Sequence, residues 1–165
     1  MRSPLAVLAC GNTSRGDDAV GPRLLERVVA ANFPGIITIE DFQFQIEHVL
    51  DLEQADLALF LDAATGAAAP IAFCEVQPRA GSAGCSTHAL EPAQLLAVYV
   101  AALQKPPPPA FMLNVRGENF ELGEGMTAAA CARLERAWPF LHDLCADPDA
   151  DRWRNLAAGF RLDAE

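Results

Sequence analysis

The sequence predicts an α/β fold, a single domain whose mostly parallel five-stranded sheet carries helices on both faces. Three observations lead there. The runs Leu5–Cys10 and Leu57–Leu61 are continuously apolar, as in strands covered on both sides. Stretches with a 3.6-residue apolar period lie between the strand-like runs. Strands alternating with helices join through right-handed crossovers into a mostly parallel sheet. The 165 residues suffice for one domain and show no internal repeat. Residues 1–145 are assigned to that domain and residues 146–165 to a polar C-terminal tail.

The first strand, Leu5–Cys10, breaks into GNTSRGDDAVGP, where Gly11 and Gly16 permit a tight turn. Asp17 and Asp18 then open a helix, where carboxylates interact favourably with the helix dipole and Pro22 is tolerated. Val20, Leu24, Leu25 and Val28 form its apolar face, and Asn32-Phe33-Pro34-Gly35 ends it. The β-branched run Ile36–Ile39 is the second strand. DFQFQIEH leads into a helix with Ile46, Val49 and Leu50 on one side. The third strand, Leu57–Leu61, ends in Asp62, and Ile71–Val76 is the fourth. A Gly/Ser loop over residues 78–87 carries His88, and Pro92–Leu103 is helical. Lys105 and four prolines make a stiff connector to a fifth strand, Phe111–Val115. The last long helix runs from about Thr127, a suitable N-cap, to Leu144, with Leu134, Trp138 and Leu141 on its apolar side. The tail from Ala146 is polar at first and reads as loosely ordered unless Trp153 and Phe160 dock it.

Composition excludes several function classes. A net charge of −10 repels nucleic acid and anionic membranes, so neither is an expected partner. No stretch approaches the about 18 apolar residues of a membrane span, and the N-terminal apolar run is too short for a secretory signal. Cysteines 10, 74, 85, 131 and 145 form no CxxC and no even disulfide framework. They read as buried small hydrophobes in a reducing compartment, and a cytoplasmic location is expected.

The loop after the first strand sets the sign of the ligand. In open α/β sheets ligands bind beyond the carboxyl ends of the strands. Here that end carries two acids, which suit a cation better than a phosphate. Asp18 after strand one, Asp62 after a central strand and His88 after the next are placed by this topology on one sheet edge. Two carboxylates and an imidazole form a mixed O/N set suited to nickel, zinc or iron. Read singly, Asp18 is equally a helix cap, Asp62 a turn cap and His88 a solvated loop side chain. Asp17 reads as the capping acid that leaves Asp18 to face the ligand. His48 and His142, in helices, read as structural. Ser86 and Thr87 lack a GxSxG elbow, and the acids near Cys10 would raise its pKa and disfavour a thiolate.

Taken in series, these pieces resemble the hydrogenase maturation endopeptidases, which process the large subunit of nickel–iron hydrogenases. The matching segments are the strand followed by GNTSRGDDAVGP, LFLDAA with Asp62, STHALEPAQLL with His88, and NVRGENFELGEGMT before the last helix. Together they cover most of residues 5–145, in the family's order. The resemblance implies a five-stranded, largely parallel sheet. It implies removal of a short C-terminal extension from a [NiFe]-hydrogenase large-subunit precursor that already carries nickel. It also maps the metal-binding set onto Asp18, Asp62 and His88, the catalytic and metal residues expected here. Nickel would arrive with the substrate, and no permanent cofactor is expected. Departures are Ala9-Cys10-Gly11-Asn12 where the family often has GxGN, and Asp18 where it often has Glu. Phe42–His48 replaces a glycine pair of many members, and there Gln43 and Gln45 would flank the cleft.

Three other readings use the same residues. A self-sufficient zinc hydrolase would hold zinc with the same ligands. A signalling receiver domain would use Asp17, Asp18 and Asp62 as its acidic pocket, but needs a lysine after the fifth strand. Lys105 precedes that strand, and Arg116 follows it. A precursor-binding module would bind without cutting.

Overall fold

The computed structural model describes residues 2–81 and 90–161. Its strands are β1 (Leu5–Cys10), β2 (Ile36–Asp41), β3 (Ala58–Thr65), β4 (Ile71–Val76) and β5 (Ala110–Gly117). Its α-helices are α1 (Val20–Ala31), α2 (His48–Glu53), α3 (Pro92–Leu103), α4 (Ala128–Ala146) and α5 (Ala150–Ala158). The strands form one sheet in the order β2-β1-β3-β5-β4. Three strand pairs are parallel, and β4 runs antiparallel to β5. The sheet is therefore mixed. The cause lies in the link from β3 to β4, which is only Gly66-Ala67-Ala68-Ala69-Pro70. A parallel return needs a crossover of a dozen or more residues, usually helical. Five residues can only turn the chain back. The antiparallel β4 and the strand order also depart from the all-parallel 2-1-3-4-5 sheet of a receiver domain, which removes that reading.

Each face of the sheet buries its own core. On one, α1, α4 and α5 cover Leu5, Val7, Leu59, Leu61, Phe111 and Leu113. On the other, α2 and α3 cover Ala6, Leu8, Ala58, Phe60 and Ala110. Continuous apolar runs are thus required, because alternate residues of β1 and β3 enter different cores. Asn32 ends α1 in the left-handed conformation (φ 54°), as the Asn-Phe-Pro-Gly stop anticipates. Thr127 caps α4, its hydroxyl accepting from the Ala130 N–H at 3.1 Å.

Two local expectations are corrected and one open alternative is decided. In α2 the buried side carries His48, Val49 and Leu52, whereas Ile46 and Leu50 are exposed. The tail is docked through Trp153 and Phe160, the alternative that the sequence leaves open. Asp149 caps α5 by accepting from Arg152 N–H at 2.7 Å, and Trp153 is fully buried. Its ring stands edge-on to Phe111 at 5.4 Å, while Phe160 packs beside Phe73 and Phe140. Of the described cysteines, Cys145 is buried, but Cys74 and Cys131 are exposed and do not serve as core hydrophobes.

No described helix is long and apolar enough to cross a membrane.

Candidate active site

The chain leaves β1 through α1 to β2 on one side, and returns through α2 to β3 on the other. Between β1 and β3 the connections therefore diverge to opposite faces, which opens a crevice at the strands' carboxyl ends. Pairing of β1 with β3 stops at Ala9 and Leu61. Beyond that point β3 continues beside β5 as far as Thr65 and Gly117. Asp62, expected to end its strand, is the first β3 residue past the last β1 pair.

Two glycines bring α1 to this point. A Cβ on Gly21 would lie 2.8 Å from the Cys10 carbonyl oxygen and 3.0 Å from that of Leu61, so the first turn of α1 rests on both strand ends. Gly16 has φ +54°, and a Cβ there would approach the Asn119 carbonyl oxygen to 2.2 Å. Asp17 and Asp18 lie on a 3-10 turn, Gly16–Ala19, that precedes α1.

The two neighbouring acids have separate tasks. Asp17 is not a helix cap, since neither acid caps that turn. Its fully buried carboxylate gathers the loop between β5 and α4. It accepts from the N–H groups of Glu118 (2.7 Å), Asn119 (3.1 Å) and Thr127 (2.7 Å), and from the Thr127 hydroxyl (2.9 Å). Burial alone would raise its pKa, but these four donors outweigh it and hold the group below the ordinary carboxylate range. Backbone bonds from Gly16 to Glu124 and from Asp17 to Asn119 complete the seam between the two loops. Asp18 is half-buried and accepts from the Asn12 N–H at 2.7 Å, which stiffens its own loop.

Asp18 and Asp62 line a common cleft of about 960 Å³ with Phe44, Met112, Asn114 and Phe120. Burial raises the Asp62 pKa from 3.8 to about 6, with the Ala63 N–H (2.8 Å) and the Cys10 thiol opposing it and the Asp18 charge adding to it. A carboxylate whose charge is disfavoured by burial and by a second acid beside it makes, with that acid, a natural seat for a cation. Among the described residues no three His, Cys, Asp or Glu side chains converge as a metal cluster. The expected third ligand, His88, lies outside the described residues.

The remaining candidates resolve plainly. Burial, and then the Asp62 carboxylate, push the Cys10 thiol far above its ordinary value, so it is no thiolate nucleophile. His48 is buried, with Nδ1 accepting from the Gln45 N–H at 2.9 Å and Nε2 3.4 Å from Asp41. His142 packs against Phe33 and Trp138. Gln43 lines the cleft, whereas the Gln45 amide turns to Asp41 at 3.4 Å. Sequence reading missed Asn114. Its signal is a polar residue among the β5 positions Ala110, Met112 and Asn114, which all face the cleft side of the sheet.

No protein-family model matches the sequence, and no curated protein sequence matches it. Solved structures do. The [NiFe] hydrogenase maturation protease HycI from Thermococcus kodakarensis superposes with a TM-score of 0.68 at 18% identity, covering 88% of this chain and 94% of its own. The hydrogenase maturating endopeptidase HybD from Escherichia coli gives 0.67 at 21% identity, with coverages of 87% and 92%. A hydrogenase 2 maturation peptidase from a Thaumarchaeota archaeon gives 0.62 at 18% identity, covering 87% of this chain and 99% of its own. The chain has the fold of these maturation proteases over nearly its whole length.

Proposed function

We propose that this chain is an endopeptidase of hydrogenase maturation, removing a short C-terminal extension from a nickel-loaded [NiFe]-hydrogenase large-subunit precursor. The observation that carries the reading is the pair Asp18 and Asp62, facing one cleft at the topological switch point of a fold shared with structures named as maturation proteases. His88 is the proposed third ligand. The donor set suits a divalent ion, since two oxygen donors and one imidazole leave positions for groups that arrive with the substrate. Bound there, such an ion supplies charge stabilisation to a polarised carbonyl or an acidified water.

The chain's own residues prepare this site. Asp17 fixes the turn that presents Asp18, and the Ala63 N–H fixes Asp62. The repulsion between the Asp18 and Asp62 carboxylates favours a partner that brings its own cation. Nickel is therefore part of the substrate. A resident zinc is the outcome that would separate a self-sufficient hydrolase from this reading.

The test is incubation of the purified chain with the hydrogenase large-subunit precursor, followed by mass measurement of the precursor's C-terminus. Loss of a short C-terminal peptide is expected. An intact precursor bound in a stable complex would make the protein a binding module instead.

A further inference from the structure

Of the amides that line the cleft, Asn114 is the one that stands on the sheet beside Asp62. Asn114 on β5 pairs in parallel register with Asp62 on β3, and the two line the same cleft. Register partners on neighbouring strands project to one face, and their backbones lie about 4.8 Å apart. Asp62 and Asp18 accept hydrogen bonds from backbone N–H groups beside them. Among the described residues the Asn114 side chain makes no hydrogen bond at all. A half-buried amide beside an acidic cleft, with no protein partner among the described residues, can donate to a ligand. We propose that Asn114 donates its side-chain N–H to the carbonyl oxygen of the peptide bond being cut, serving as an oxyanion donor of the site. This inference rests on the peptidase reading above.

The step balances without any redox partner. A water oxygen adds to the carbonyl carbon, and the carbonyl π electrons move onto its oxygen, where Asn114 stabilises the new charge. The tetrahedral species then expels the peptide nitrogen, which leaves as an amine after taking up a proton from the attacking water. The retained fragment ends in a carboxyl group. Because the charge exists chiefly in the transition state, losing the donor lowers kcat rather than substrate binding.

The experiment compares the wild-type chain with Asn114→Ala and Asn114→Asp on the same precursor, under saturating and limiting substrate. Asn114→Asp keeps the shape but replaces the donor by a charge, and Asn114→Ala removes the donor without adding one, so a loss common to both reports the hydrogen bond. Both variants are expected to lose about 100-fold or more in kcat with little change in KM. Each is also expected to keep the wild-type far-UV spectrum, and Asn114→Ala to keep the wild-type affinity for Ni²⁺ ions alone, as the loss of a substrate donor rather than of a ligand would. Wild-type-like kcat in Asn114→Asp, or a defect confined to KM, would overturn the proposal while leaving the peptidase reading intact. A loss of Ni²⁺ affinity in Asn114→Ala would make Asn114 a metal ligand and overturn it too. Absence of cleavage by the wild-type chain would overturn both readings together.

Discussion

Replacing Asp62 by Asn should stabilise the metal-free protein at neutral pH while abolishing processing. Burial raises the Asp62 pKa from 3.8 to about 6, with the neighbouring Asp18 charge contributing. A carboxyl whose pKa is higher folded than unfolded binds its proton more tightly in the native state. Between about pH 4 and pH 6 the native state thus holds more protons, so stability falls as pH rises through that window. Above about pH 6 the folded chain carries a charge its surroundings disfavour. At about 1.4 kcal/mol for each tenfold in proton affinity, the gap from 3.8 to about 6 corresponds to roughly 3 kcal/mol. Asp62 retains some solvent access, which screens part of this, and about 1–2 kcal/mol should be recovered by the isosteric amide. Asn keeps an oxygen for the Ala63 N–H, so packing and that hydrogen bond persist. Urea unfolding in the presence of a chelator measures the difference. The variant should be the more stable at about pH 7.5, and the two proteins should converge below about pH 4. A variant less stable than wild type at pH 7.5 would refute the claim that Asp62 is held ionised against its surroundings.

Asp17→Asn should cost about 2–4 kcal/mol at neutral pH, because a buried carboxylate with four donors loses its charge. The wild-type advantage exists above the ordinary carboxylate range and fades as pH falls through the depressed native value, so unfolding curves of the two should converge in acid. Trp153→Ala should destabilise by about 3–5 kcal/mol and release α5, seen as early proteolysis near the C-terminus. Cys10→Ser should retain processing at a rate of the same order as wild type. A loss beyond about 100-fold would restore the thiol as a nucleophile.

The sequence made the strands and helices legible wherever one local signal dominated. The apolar runs delimit Leu5–Cys10 and Ile71–Val76, and Pro92 opens α3 at the anticipated residue. The Thr127 cap follows from residue type alone. Features set by distant partners were not legible. Asp17 finds its donors 101 to 110 residues away, so local reasoning assigned it to its own helix. Ile46 and Leu50 look like a helical face but stand exposed, because α2 begins only at His48 and turns Val49 and Leu52 inward. The sense of β4 was encoded in a five-residue link, a signal of length rather than of composition. Asn114 becomes visible only when β5 is laid in register against β3. The pair Asp18 and Asp62 was found because an acid after a buried strand is conspicuous, and the topology then brings the two into one cleft.

The central claim, that this acidic cleft acts on a partner that brings its own cation, has a direct test. The purified chain is given the hydrogenase large-subunit precursor in nickel-loaded and nickel-free forms, and the C-terminal mass of each is followed in time. The account predicts loss of a short C-terminal peptide from the loaded form alone, abolished in the Asp18→Ala and Asp62→Ala variants. Equal cleavage of both forms, or undiminished cleavage by either variant, would contradict it.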